Sequence, residues 1–166
     1  MIYRGIRYFA IGLIFLSLAW ALYKGAGPQT HPGGPAFSRA VGLYTDGEYA
    51  EALRDYETSI REYPDFIHAQ RGRARTLMQL GRDKEALEAF NEVLKRDPDS
   101  AVSFANRGIL QDRMGLSPQA IADYDRAIKM DPRLGEGLDW FTRLLQNRNE
   151  KPQTLKDRLQ TLRKRH

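Results

Sequence analysis

The sequence predicts an all-α fold, a superhelical stack of helix-turn-helix hairpins preceded by an apolar N-terminal helix. Three observations predict it. The 166-residue chain repeats itself at an offset of 34 residues, three times over. Inside each repeat the apolar residues recur at helical spacing. A charge-free apolar run stands close to the N-terminus.

Five columns carry the repeat: Gly47, Gly81 and Gly115; Ala52, Ala86 and Ala120; Tyr56, Phe90 and Tyr124; Ile60, Leu94 and Ile128; Pro64, Pro98 and Pro132. Each column has its own physical reason. Glycine permits a tight turn between two helices, and alanine lets their axes approach. The aromatic fills the space between neighbouring hairpins, and proline stops the second helix before the next unit begins. Between these marks, Ala86, Leu87, Phe90, Val93 and Leu94 share one helical face, as do Ala120, Ile121, Tyr124, Ala127 and Ile128. Asp83 ahead of Lys84-Glu85, and Ser117 ahead of Pro118, read as side-chain N-caps. Three units occupy 33–66, 67–100 and 101–134, so the repeat domain runs over 36–134.

The tail keeps the same register. Leu138 follows Phe104 by 34 residues, and Leu155 and Leu162 follow Ile121 and Ile128 by the same step. Residues 135–166 therefore read as a degenerate fourth, capping hairpin, with helices over 138–146 and 153–165 and a basic C-terminus. A terminal repeat needs a polar outer face, which Lys156, Asp157, Arg158, Arg163, Lys164 and Arg165 supply.

Tyr8 to Tyr23 is sixteen residues without a charge, flanked by Arg4 and Arg7 before it and Lys24 after it. Such a helix is roughly 24 Å long, and snorkelling Arg and Lys extend it towards the roughly 30 Å of a hydrocarbon core. Residues 1–24 thus read as a transmembrane anchor. The alternative is a signal segment cleaved near Ala21, after the A-x-A pattern Ala19-Trp20-Ala21. Either way the positive charges ahead of the run keep the N-terminus cytoplasmic and place the repeats across the membrane. The expectation is a single-pass inner-membrane protein with periplasmic repeats, or a periplasmic or secreted one after cleavage. Residues 25–35, rich in Gly and Pro, form a linker.

Composition excludes several chemistries. There is no cysteine, so disulfides, thiolate metal sites and thiol nucleophiles are out. The net charge of +5 resides at the two ends, and the middle of the chain is slightly acidic. A nucleic-acid footprint would be a basic face on the folded domain, so no nucleic-acid partner is expected. His31, His68 and His166 have no ligand spacing, and no glycine-rich loop follows a strand. No catalytic, cofactor-binding or metal-binding residue is predicted.

The segments GEYAEALRDYETSIREYP, GRDKEALEAFNEVLKRDP and NRGILQDRMGLSPQAIADYDRAIKMDP resemble tetratricopeptide repeats, and 34 residues is the period of that family. The resemblance covers about 100 residues, and with the apolar run ahead of it the chain looks like a membrane-anchored bacterial member. It implies a right-handed superhelix whose first helices line a concave groove for a peptide or partner protein, and it implies no reaction. Departures are Gln70 in place of an aromatic, Ala40 and Ala74 in place of Gly, and Arg39, Arg73 and Arg107 in a column usually apolar, which reads as structural.

Family positions for ligand contact fall on Arg71, Arg75 and Met78 of the second unit and on Asn106, Ile109 and Arg113 of the third. His68, Gln79, Val102 and Asp112 occupy further positions of the same set. Arg71 and Arg75, four apart, share a helix face, and two guanidinium groups suit a carboxylate. The match to carboxylate-clamping members is partial: Arg71 replaces their Lys, Arg75 an Asn, Asn106 matches, and Glu136 and Trp140 stand where two further basic residues belong. The expected function is a membrane-tethered scaffold that holds a partner protein, through an acidic segment or C-terminal carboxylate, for envelope assembly, secretion or protein maturation. Alternatives are a self-associating organiser of a membrane complex, which would be a homo-oligomer, and a cytosol-facing adaptor.

Overall fold

The computed structural model describes Trp20, residues 32–136 and residues 153–165. Apart from Trp20 the apolar run 8–23 lies outside the described residues, as do most of the linker and the helix expected over 138–146. Among the described residues no helix is long and apolar enough to cross a membrane. The unit His31–His166 carries the repeat fold.

Six helices form three antiparallel hairpins: α1 Gly34–Asp46 with α2 Tyr49–Glu62, α3 Ile67–Gln79 with α4 Asp83–Arg96, and α5 Ala101–Arg113 with α6 Ser117–Met130. A short 3-10 turn, Pro132–Gly135, comes next, and α7 spans Leu155–Arg165. The chain is all-α over these residues and stacks its hairpins into a superhelix of the kind the repeat predicts.

The columns do what their chemistry requires. Gly47, Gly81 and Gly115 take φ of 86°, 71° and 76° at the three hairpin turns. A Cβ there would meet nothing within 4 Å, so the demand is conformational and not one of space. Ala52, Ala86 and Ala120, in the first turns of α2, α4 and α6, are fully buried. Tyr56, Phe90 and Tyr124 are buried, and three apolar clusters form around them, one after another along the stack. The prolines stand two residues past the ends of α2, α4 and α6.

The caps differ from expectation. Neither Asp83 nor Ser117 closes its helix through a side-chain cap; Arg82 and Leu116 hold the N-cap positions with no side-chain cap bond. The reason is that the left-handed Gly turn delivers the backbone into the helix one residue early, placing both side chains inside the first turn. Asp83 then pairs with Arg113 of the next hairpin. A side-chain cap does start α5, where Ser100 Oγ accepts from Ser103 N at 3.3 Å. Thr154 and Asp157 close a reciprocal capping box ahead of α7, with bonds of 3.0 and 3.1 Å.

α7 buries Leu155, Leu159 and Leu162 in the cluster that holds Tyr124 and Ala127. Its basic residues are less purely solvated than expected. Arg163 Nη2 donates to both Asp125 oxygens at 2.8 and 2.6 Å, and Arg158 reaches Asp112 at 3.4 Å.

Candidate partner-binding groove

The first helices of the three hairpins enclose a cavity of about 310 Å³. α1 contributes Val41, Tyr44 and Thr45, α3 contributes His68, Arg71 and Arg75, and α5 contributes Val102 and Asn106. Tyr56 and Phe90 of the second helices form the floor. Gly72 lets the Tyr56 ring pack directly on the α3 backbone: a Cβ built there would stand 2.3 Å from Tyr56 Cε1. Burial pushes the Tyr56 phenol above its ordinary value, and the nearby Arg75 charge opposes that shift.

The lining holds cations and no carboxylate. The two arginines are not equivalent, though. Arg75 lays its guanidinium over the Tyr44 ring, 4.6 Å from the centroid, and makes no ion pair among the described residues. Tyr44 is itself steadied by Gln79, whose Nε2 donates to the phenol oxygen at 3.4 Å. Arg71 pairs through Nη2 with Asp97, just past the end of α4. Its Nε is buried with no hydrogen-bond partner among the described residues. Arg71 also borders a second, more open hollow of about 630 Å³ with Arg96 and Asp97, so it stands on the ridge between the two.

Of the six residues singled out in the sequence, the structure brings Arg71, Arg75 and Asn106 to the cavity. The other three are elsewhere. Met78 is buried in the core cluster of the second hairpin, because the last turn of α3 packs against α4 before the glycine turn. Ile109 packs against the third cluster. Arg113 donates to the Met78 carbonyl at 3.0 Å and pairs with Asp83, tying adjacent hairpins together. Val41, Tyr44 and Thr45 were legible: the same repeat positions applied to 33–66 land on them. Gly72 occupies one of those positions too, but a residue without a side chain offers no contact to look for.

These features define a class, a superhelical stack of helix-turn-helix hairpins with a cationic concave groove. Residues 37–101 match the family model described as Tetratricopeptide repeat. The chain is similar to Hsp70-Hsp90 organizing protein 3 of Arabidopsis thaliana, with 27% identity over 123 residues, 70% of this chain and 22% of that protein. It spans about a fifth or less of the length of the curated relatives it matches first. Its fold is like that of the first TPR of Spaghetti bound to the HSP90 peptide SRMEEVD, with TM-score 0.62, 15% identity, 78% of this chain and 89% of that one. It is also like the TPR2B domain of yeast Sti1 in its pHsp70 complex, with TM-score 0.63, 16% identity, 81% of this chain and 98% of that one.

Proposed function

We infer that this protein is a non-catalytic scaffold that holds an acidic segment of a partner protein in its concave groove. One observation carries the reading: Arg71, Arg75 and Asn106 converge on one cavity whose lining contains no carboxylate. Guanidinium groups in such a setting favour carboxylates through charge-assisted hydrogen bonds. The first TPR of Spaghetti, which shares this fold, is bound to the HSP90 peptide SRMEEVD, an acidic segment, and this is consistent with the reading.

The apolar run 8–23, with Arg4 and Arg7 ahead of it, supports a further part of the reading, that the scaffold is tethered to a membrane with the repeats on the non-cytoplasmic side. A reporter active only in the cytoplasm, fused after His166, is then silent; an active one reverses the topology.

The groove is tested by affinity capture with the full chain, solubilised in detergent, against its host's solubilised proteins. Wild type retains a set of proteins that Arg71→Ala with Arg75→Ala loses. Identical sets from both would place the partner on another face.

A further inference from the structure

We propose that the groove takes a segment offering one carboxylate beside one large apolar side chain, and that Asp97 sets this preference by occupying Arg71. The proposal rests on the groove reading above and specifies its ligand.

The charge side comes from the difference between the two arginines. Arg71 already has a carboxylate, that of Asp97, which the chain itself holds in place. A tethered group competes at a high effective concentration, so a ligand carboxylate gains little by displacing it. Arg75 is held flat by the Tyr44 ring and by no acid among the described residues. Of the two arginines in the lining, Arg75 has the fork that no acid occupies among the described residues, while on Arg71 the Nη2 goes to Asp97 and the unbonded Nε is buried. A guanidinium fork accommodates one carboxylate bidentately. A ligand with two adjacent carboxylates therefore finds a partner for only one.

The apolar side comes from the floor. Val41 and Val102, on α1 and α5, are 43% and 53% exposed, two of the most exposed large apolar residues in the repeat domain. Both line the cavity, and between them the edge of the buried Tyr56 ring, packed against Gly72, closes its apolar floor. At about 310 Å³ the space lies at the low end of the roughly 300–1,000 Å³ of drug-sized sites, room for one large side chain with its backbone. Arg75 stands in the same lining, so the carboxylate and the apolar group come from neighbouring residues of the ligand.

The test uses randomised nonapeptides, displayed with either a blocked or a free C-terminus, selected on the immobilised full chain in detergent. Wild type enriches, by about tenfold, peptides with a single acidic group near a Phe, Leu, Met or Trp. Enrichment in the blocked format assigns the carboxylate to a side chain, and enrichment in the free format alone assigns it to the terminus. Val41→Trp with Val102→Trp fills the cavity from exposed positions; it removes the apolar preference and keeps the acidic one. Arg75→Gln does the reverse. Asp97→Asn, which frees Arg71, shifts selection towards peptides with two acidic groups. The proposal is overturned if wild type enriches acid pairs as strongly as Asp97→Asn does, or if the apolar preference survives the two Trp substitutions. A wild-type chain that enriches nothing, or a selection that none of these variants alters, overturns the groove reading together with it.

Discussion

Arg107 grips Asp123, sixteen residues further along, with both arms of its guanidinium: Nε donates to Oδ2 at 2.6 Å and Nη2 to Oδ1 at 2.7 Å. Its remaining nitrogen donates to Asn91 of the preceding hairpin at 2.8 Å. One side chain thus links the two helices of its own hairpin and the hairpin before it. The same column repeats the device where the chemistry allows. Arg39 holds Asp55 at the same separation, with bonds of 3.0 and 2.9 Å. For Arg73 the equivalent position is Ala89, which offers no acid, and Arg73 pairs with Glu57 of the preceding hairpin at 3.7 Å.

Burial separates these pairs in energy. The Arg107 and Asp123 side chains are 19% and 7% exposed, whereas Arg39 is 60% exposed. Arg107→Ala leaves Asp123 charged and shielded from water, and the expected loss is about 3 kcal/mol of unfolding free energy. Arg39→Ala changes stability far less, because water already screens that pair. Arg107→Met with Asp123→Leu restores most of the loss. Urea unfolding of the four proteins checks the order; equal effects at 39 and 107 would contradict it.

Three glycine substitutions separate conformation from space. Gly81 has a left-handed backbone and open surroundings, so Gly81→Ala costs about 1 kcal/mol in backbone strain alone. Gly42, in α1, has nothing within 4 Å of a built Cβ, so Gly42→Ala stabilises by up to about 1 kcal/mol. Gly72→Ala forces a methyl group into the Tyr56 ring and costs about 1–3 kcal/mol through overpacking. Thermal unfolding with the signs reversed at 42 and 72 would contradict the packing described.

Alkaline pH weakens the stack. Burial, and then the Asp112 carboxylate that accepts the phenol's hydrogen bond at 3.3 Å, hold the Tyr124 proton more tightly in the folded chain than in the unfolded one. A folded value raised above the unfolded one contributes stability that is complete below the unfolded value of about 10 and declines as pH rises beyond it. The unfolding midpoint is therefore flat from neutral pH to about pH 9 and falls above about pH 10. Tyr124→Phe makes the fall shallower. An unchanged slope in that variant would assign alkaline unfolding to other groups.

The fold was legible because each repeated column answers one steric or conformational demand that a single residue type meets. Gly81 must be left-handed, Ala86 must be small, and both requirements show in composition at a fixed spacing. The cap positions were misread because the glycine turn, and not the side chain of Asp83, sets where α4 begins. The groove was legible in part. Repeat positions put Arg71, Arg75 and Asn106 on one surface, but the pairing of Arg71 with Asp97 joins residues 26 apart with no periodic signal. Met78 and Arg113 occupy contact positions in the repeat and are drawn instead into the junctions of the hairpins, because the last turn of a first helix packs against neighbouring helices.

The seat of the partner is the central question, and crosslinking addresses it directly. A photo-crosslinking amino acid placed at Val102, exposed in the groove, is compared with one at Glu88, exposed on α4 away from it. Crosslinking in intact host cells is predicted to give a partner adduct from position 102, none from 88, and loss of the first when Arg75→Ala is added. Adducts from 88 alone, or an adduct at 102 indifferent to Arg75, would contradict the claim that the cationic groove holds the partner.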